Sequence, residues 1–173
     1  MLTLKCTQKA AKEFGHNRQA LPEIPAEDNQ ALLGDWFVNL IKFGRTKSLI
    51  FVNAATLYSF LLMGYKKKDL QKISTLFNEA LRFHLLAEAI PVEDIERVLS
   101  QYDTVTFAKT DSRSVLGSMN DLAWLYEVMI MSGGGLQLCD LTEATQNINR
   151  TPQLTRDGYS IDLLKKALAV AQD

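Results

Sequence analysis

Three runs of strand-forming residues follow one another between residues 35 and 63, and they constrain the fold most. The runs are DWFVNL, SLIFVN and TLYSFLLM, and Phe43-Gly44-Arg45-Thr46 forms a tight connection between the first two. β-Branched and aromatic residues favour strands, and a short connection containing Gly favours a hairpin. The region therefore predicts a three-stranded meander. Residues 56–63 also fit the period of a helix, which stays an alternative for the third strand.

Two further strands are predicted outside the meander. Near the N-terminus, Leu2, Leu4 and Cys6 alternate with polar residues, and the run DTVTFAK places Val105 and Phe107 on one side of a strand. Period-two alternation is typical of a strand with one buried face. The chain is thus expected to form a single α+β domain over residues 1–173, with a mostly antiparallel sheet of about five strands.

Helices are predicted between and after these strands, because apolar residues recur there at three- and four-residue spacing. Asp69 and Ser160 begin two of these segments and can cap their first turns. The predicted helices cover residues 8–14, 69–88, 91–102, 112–131 and 160 onward, the last with a buried stripe of Ile161, Leu164, Ala167, Leu168 and Ala171.

Composition removes several classes of protein. Nineteen basic and twenty acidic residues give a net charge of −1, which argues against a dedicated nucleic-acid or membrane-surface binder. No apolar run reaches the roughly 20 residues of a membrane helix, and the N-terminus does not resemble a signal peptide. We therefore expect a cytoplasmic protein in which Cys6 and Cys139 are buried free thiols.

The most unusual segment runs from residue 109 to residue 121, where a strand ends and a helix begins. Lys109 and Arg113 lie beside the free amides of the first helical turn, an arrangement that can hold an anion. Gly117 lies within this helix at a cost of about 1 kcal/mol relative to alanine. Neighbouring polar residues on the same side of the helix are Ser114, Ser118, Asn120 and Asp121. The alternative is structural, with another element packed on the glycine.

A second candidate group lies on the first strand of the meander. Asp35 and Asn39 share a strand face with Phe37, and Asn53 ends the next strand close to them. These side chains are candidates for ligand contacts. The alternative is that they form hydrogen bonds at turns and strand ends.

Established catalytic motifs are missing from the sequence. Neither a Walker motif nor GxGxxG occurs, and His16 and His84 are the only histidines. His84 lies on the apolar stripe of a helix, where a buried neutral histidine is the expected state. We expect neither a cofactor nor a metal site.

The order of these motifs resembles a family of short bacterial proteins with a domain of unknown function, also found as a module in plasmid-borne open reading frames. The block GSMN (residues 117–120) is its most specific match. The matching positions are Asp35, Trp36, Asn39, Arg45, Asn53, Ser59, Phe107, Lys109, Arg113, Ser114, Gly117, Ser118, Met119, Asn120, Asn149, Pro152, Gly158 and Tyr159. Arg156 and Asp157 depart from its pattern. The resemblance implies no activity and only an association with mobile elements.

The function predicted from these observations is a non-catalytic binding or accessory module. Its ligand would be a small anion or a protein partner, held at the candidate residues Asp35, Asn39, Asn53, Lys109, Arg113, Ser114, Ser118 and Asn120. One alternative is an enzyme for a phosphoester or another anionic substrate, with Asp35 or Asp121 as base or metal ligand. Another is a nucleic-acid-associated protein that uses the basic run at residues 66–68. Assembly into a homo-oligomer is left open, and no membrane partner is expected.

Overall fold

A five-stranded mixed sheet organises the computed structural model, which describes residues 1–170. The strands are β1 (Leu2–Cys6), β2 (Trp36–Phe43), β3 (Thr46–Asn53), β4 (Ser59–Met63) and β5 (Val105–Lys109), in the spatial order β4-β3-β2-β1-β5. The predicted α+β class, the five strands and the meander are confirmed. Residues 59–63 form the third strand of the meander, as predicted.

The sheet is mixed because β1 runs parallel to both of its neighbours, whereas β2, β3 and β4 are antiparallel. Two of the four strand pairs are therefore antiparallel, fewer than a mostly antiparallel sheet would have. Parallel neighbours require a long crossover connection. The segments between β1 and β2 and between β4 and β5 are long enough to provide it.

Helices cover both faces of the sheet. The helices are α1 (Gln8–Glu13), α2 (Ile73–Ala87), α3 (Val92–Leu99), α4 (Arg113–Ser132), α5 (Leu141–Ile148) and α6 (Ser160–Val170). Residues of α1, α2, α3 and α6 join the core on one face, and residues of α4 and α5 form the core on the other. No helix within residues 1–170 combines the length and the apolar character needed to cross a membrane.

Most helices occur where the periodicity predicts them, with two differences. The start of the segment at 69–88 is a 3-10 helix over Lys67–Lys72, and α2 follows it. Helix α5 was not predicted, although Asp140 caps it by accepting hydrogen bonds from Thr142 and Glu143. Ala171, predicted on the stripe of the last helix, lies outside the described residues.

Aromatic residues fill the first of the two cores. Trp36 is fully buried, as its place on the apolar face of the first meander strand predicts, and its ring lies 5.2 Å from that of Phe77 and 5.6 Å from that of Phe60. Its indole N–H donates to the Tyr102 hydroxyl at 3.2 Å. Strand alternation also predicts that Phe107 lies on a buried face of β5, but its side chain is only half-buried. Its partly buried ring packs against the margin of this core.

Both cysteines are free, as expected, but their environments differ. Cys6 is buried in the core, whereas Cys139 is only half-buried. Cys139 follows the glycine-rich turn after α4, where less of the chain packs over it. The expectation of two buried thiols holds for Cys6 alone.

Candidate functional site

Strand β2 continues beyond the point where β1 ends. The last residue pair between them is Cys6 with Val38, whereas β2 stays paired with β3 as far as Phe43 with Thr46. After β1, the Thr7 amide donates to the Val38 carbonyl at 3.1 Å, and the chain turns into α1. Over residues 39–43, the edge of β2 that faces away from β3 therefore has no strand neighbour in residues 1–170. We call this stretch the open edge.

Two helices leave the neighbouring parallel strands toward opposite faces of the sheet. Helix α1 follows β1 and packs on one face, and α4 follows β5 and packs on the other. In open sheets with parallel strands, such a divergence leaves a crevice at the carboxyl ends of the strands, and ligands bind there preferentially. The open edge lies beside this crevice.

A groove of about 570 Å³ runs along the open edge. Helix α1 contributes one wall, α4 contributes the other, and β2 forms the floor. The lining residues are Lys9, Asn39, Leu40, Ile41, Lys42, Asn120 and Ala123. Lys9 and Lys42 are exposed, and neither pairs with a carboxylate in the part of the chain that the structure describes. The groove therefore carries two positive charges that are not neutralised by an ion pair.

Asn39 and Asn120 are the predicted site residues that the fold brings together. The Thr7 hydroxyl donates to Asn39 Oδ1 at 2.6 Å, which holds the amide of this half-buried side chain in one orientation. Asn120 is exposed on the opposite wall. The two amides reach the same groove from elements more than 80 residues apart in the chain.

Asp35 and Asn53 have structural contacts and do not line the groove. Asp35 is buried, and its carboxylate lies 2.9 Å from Lys5 Nζ and accepts a hydrogen bond from Asn29 at 2.6 Å. The Asn53 amide donates to the Leu33 carbonyl at 2.6 Å, while its oxygen accepts from residues of the following turn. This agrees with the structural alternative weighed for both residues.

Lys5 is a buried cation that the strand pattern did not reveal. Alternation along β1 predicted an outward-facing side chain, but α4 and its preceding loop cover that face, and Lys5 contacts both Asp35 and Asp111. Burial lowers the pKa of Lys5, but hydrogen bonds to the two carboxylates and their negative charge outweigh it and raise the pKa above 10.5. The ammonium group is therefore fixed in its charged form.

The remaining predicted residues lie around the start of α4 and not in the groove. Lys109 Nζ lies 3.6 Å from a carboxylate oxygen of Glu23, and Ser118 shares a 3.2 Å hydrogen bond with Thr155. Arg113 and Ser114 are exposed on the outer side of the helix. These residues do not converge on one point with Asn39 and Asn120.

Gly117 lies on an exposed side of α4 with open space around it. A Cβ atom added there would meet no heavy atom within 4 Å. The structural alternative, in which another element packs on the glycine, is therefore not what the structure shows. The exposed side continues along the helix to Trp124, which is 60% exposed.

A thiol and an imidazole outside the groove, those of Cys6 and His84, are unsuited to acid–base or nucleophilic chemistry in their present environments. Burial raises the pKa of the Cys6 thiol to about 12 and lowers the pKa of His84 to about 4. At neutral pH both groups are uncharged and enclosed by the core. Within residues 1–170, no three His, Cys, Asp or Glu side chains are grouped so that they could hold a metal ion.

Sequence reasoning missed Lys9 and Lys42, the two charged residues of the groove. Isolated lysines on a short helix and at the end of a strand are common on solvated surfaces, so neither stands out. The signal that could have indicated them is the difference in strand length, because β1 spans five residues and β2 spans eight. A longer strand beside a shorter parallel one leaves an edge exposed.

One family model matches residues 3–161, which is nearly the whole chain, and its description is Domain of unknown function (DUF6933). No curated protein and no solved structure matches the chain. The match agrees with the resemblance seen in the sequence and adds no activity to it.

Proposed function

The chain belongs to the DUF6933 family, and from the groove at the open edge we propose that it is a non-catalytic module that binds an anionic partner. The observation that carries the proposal is the meeting of Asn39 and Asn120 with Lys9 and Lys42 along one groove. The sequence alone also predicts Asn39 and Asn120 as candidate binding residues.

The chemistry of the groove favours a carboxylate- or phosphate-bearing ligand. Lysine ammonium groups are hydrogen-bond donors only, and each asparagine amide offers two further donors. Hydrogen bonds to a charged acceptor are shorter and stronger than those between neutral groups. Glu13, the acidic residue nearest to Lys9 in the sequence, does not line the groove. Its carboxylate pairs with Lys47 at 2.9 Å. An incoming anion therefore meets little competition from the groove's own residues.

Binding without catalysis is favoured because the lining lacks the side chains that most often act as a general base. The lining contains lysine, asparagine and apolar residues, without a carboxylate, an imidazole or a thiol. Asp35, which the enzyme alternative used as base or metal ligand, is buried against Lys5. Asp121, the other candidate, does not line the groove. These placements support a binding role over hydrolysis of a phosphoester.

An NMR titration of isotope-labelled protein tests the proposal, with inorganic phosphate and N-acetylglutamate as probes. We expect amide shifts concentrated at residues 9, 39–42, 120 and 123. The double variant Lys9→Glu/Lys42→Glu should lose them. A matched control is Lys68→Glu/Lys166→Glu, which changes the net charge equally at two exposed lysines elsewhere and should bind as the parent does. An absence of shifts in the parent, or an equal loss in the control, would contradict the proposal.

A further inference from the structure

We propose that the open edge accepts an extended acidic peptide segment of a partner protein as an added strand. This inference rests on the proposed function, because it identifies the ligand class of the same groove. It adds a requirement that simple anion binding does not have: the backbone of the peptide must pair with the backbone of β2.

The backbone of β2 has the orientation that strand addition needs. Phe43 and Thr46 flank the two-residue turn, and the Asp35 carbonyl accepts from the Ala54 amide at 2.9 Å. In an antiparallel pair, hydrogen-bonded positions alternate, so the odd-numbered residues of β2 bond to β3. The backbone amide and carbonyl groups of the even-numbered residues point away from β3. The hydrogen bond from the Thr7 amide to the Val38 carbonyl is an example.

Leu40 and Lys42 continue this even-numbered series beyond the end of β1. No backbone partner occupies that side of them in residues 1–170, because the last pair of β1 with β2 is Cys6 with Val38. Their amide and carbonyl groups form a row at the groove floor. Unpaired groups at a strand edge are a template for another strand.

Side chains on the two walls specify the sequence that such a strand would carry. Leu40 and Lys42 share the face covered by α1, which also carries Lys9, whereas Ile41 shares the face covered by α4 with Ala123. Successive side chains of an added strand would alternate between these two walls. Acidic residues at every second position would face the lysines, and small apolar residues between them would face Ile41 and Ala123.

The outer edges of the sheet are less suited to this role. On β4, the Asn149 side chain accepts from the Ser59 amide at 2.9 Å and donates to its carbonyl at 2.8 Å, which occupies one position of that edge. On β5, the Lys109 amide donates to the Pro22 carbonyl at 2.9 Å. The open edge combines unpaired backbone groups with two positive charges. Its five residues span about 17 Å, which is enough to pair with an added strand of similar length.

Synthetic peptides test the inference. The probe is a capped eight-residue peptide in which Val and Glu alternate, compared with a peptide of the same composition that has all its Glu residues at one end. We expect the alternating peptide to bind at least about tenfold more tightly. In hydrogen exchange, the amides of Leu40 and Lys42 should become protected, while the Ile41 amide, already bonded to β3, should not change.

Backbone methylation separates strand addition from charge attraction. Two further peptides carry N-methyl groups on alternate amides, one on the Val residues and the other on the Glu residues. Only the set of amides that faces β2 is needed, so we expect one of these peptides to lose at least about tenfold in affinity and the other to bind as the parent peptide does.

The outcomes distinguish this inference from the proposed function. Equal binding by all four peptides, with no protection of Leu40 and Lys42, would overturn strand addition and leave anion binding in place. If phosphate and N-acetylglutamate also produce no shifts in the groove, both proposals fail. Retained peptide binding by Lys9→Glu/Lys42→Glu would likewise overturn the acidic specificity.

Discussion

His84 shows how a single residue can make the stability of this fold depend on pH. Its side chain is 9% exposed and lies 5.4 Å from the ring of Phe60, and burial lowers its pKa from 6.5 to about 4. In the unfolded chain the imidazole takes up a proton below pH 6.5, whereas in the folded protein it stays neutral until about pH 4. Acid therefore stabilises the unfolded state relative to the folded one.

The contribution of His84 to the free energy of unfolding should be complete above pH 6.5. We expect this contribution to be lost as the pH falls from 6.5 toward 4. The loss amounts to about 3 kcal/mol, since each unit of pKa difference corresponds to about 1.4 kcal/mol. Urea unfolding at pH 4.5 and pH 7 measures it. His84→Gln should reduce the difference between the two pH values, whereas His16→Gln, at an exposed position, should leave it unchanged. Equal behaviour of the two variants would contradict the assignment.

Truncating Trp36 and Phe107 should have different effects, although the sequence alone placed both on buried faces. Trp36 is fully buried among aromatic rings, so Trp36→Ala should cost about 3 to 5 kcal/mol of stability. Phe107 is half-buried against Phe14 and His16, at ring distances of 4.9 and 4.6 Å. Phe107→Ala should therefore cost less than Trp36→Ala in chemical denaturation. Equal losses would mean that β5 is covered more completely than the structure shows.

At the scale of elements, one asparagine joins α5 to β4. The buried side chain of Asn149, just after α5, forms two hydrogen bonds to the backbone of Ser59 and donates to the Thr145 carbonyl at 2.9 Å. Removing the amide leaves the Ser59 N–H buried without a partner. Unmade hydrogen bonds of this kind are costly, because the group has lost its water.

Asn149→Ala is expected to cost about 2 to 3 kcal/mol of unfolding free energy. Asn147→Ala is the matched control, since the same substitution lies two residues earlier on the exposed side of α5 and should change stability by less than about 0.5 kcal/mol. Thermal and urea unfolding of the two variants check the difference. A loss below 1 kcal/mol for Asn149→Ala would show that β4 does not depend on this link.

Elements whose pattern arises from local contacts could be predicted, and those shaped by distant ones could not. The meander from Trp36 to Met63 was predicted because each strand pairs with the next along the chain. Burial of Lys5 was not, since it depends on α4, which begins more than 100 residues later. Helix α5 was missed because it is short and only three of its eight residues are apolar, although Asp140 before Thr142 and Glu143 is a capping signal.

The groove could be predicted only in part, for the same reason. The sequence indicates Asn39 because it shares a strand face with Asp35, and Asn120 because it belongs to the polar side of the helix around Gly117. Their meeting depends on how far β1 extends along β2 and on the faces to which α1 and α4 turn. Lys9 and Lys42 acquire significance only from that arrangement.

At the scale of the whole molecule, the cluster of Lys5, Asp35 and Asp111 connects three distant parts of the chain. Lys5 lies on β1, an inner strand of the sheet, Asp35 precedes β2, and Asp111 lies between β5 and α4. Lys5 and Asp35 are each about 1% exposed as side chains, whereas Asp111 is 40% exposed. A charge that is removed from water is stabilised only by its partners. Removing Lys5 therefore leaves the buried Asp35 carboxylate without a compensating positive charge.

A double-mutant cycle tests whether this cluster holds the sheet together through its charge. Lys5→Met should cost about 3 to 5 kcal/mol, because the buried Asp35 carboxylate loses its cation. Adding Asp35→Leu should recover a large part of that loss, since two apolar side chains then replace the pair and Asp111 remains in contact with water. Urea unfolding at pH 7 of the parent, both single variants and the double variant gives the coupling energy. If the two single losses simply add, Lys5 and Asp35 do not depend on each other, and the packing of β1 and β2 holds these segments together without the ion pair.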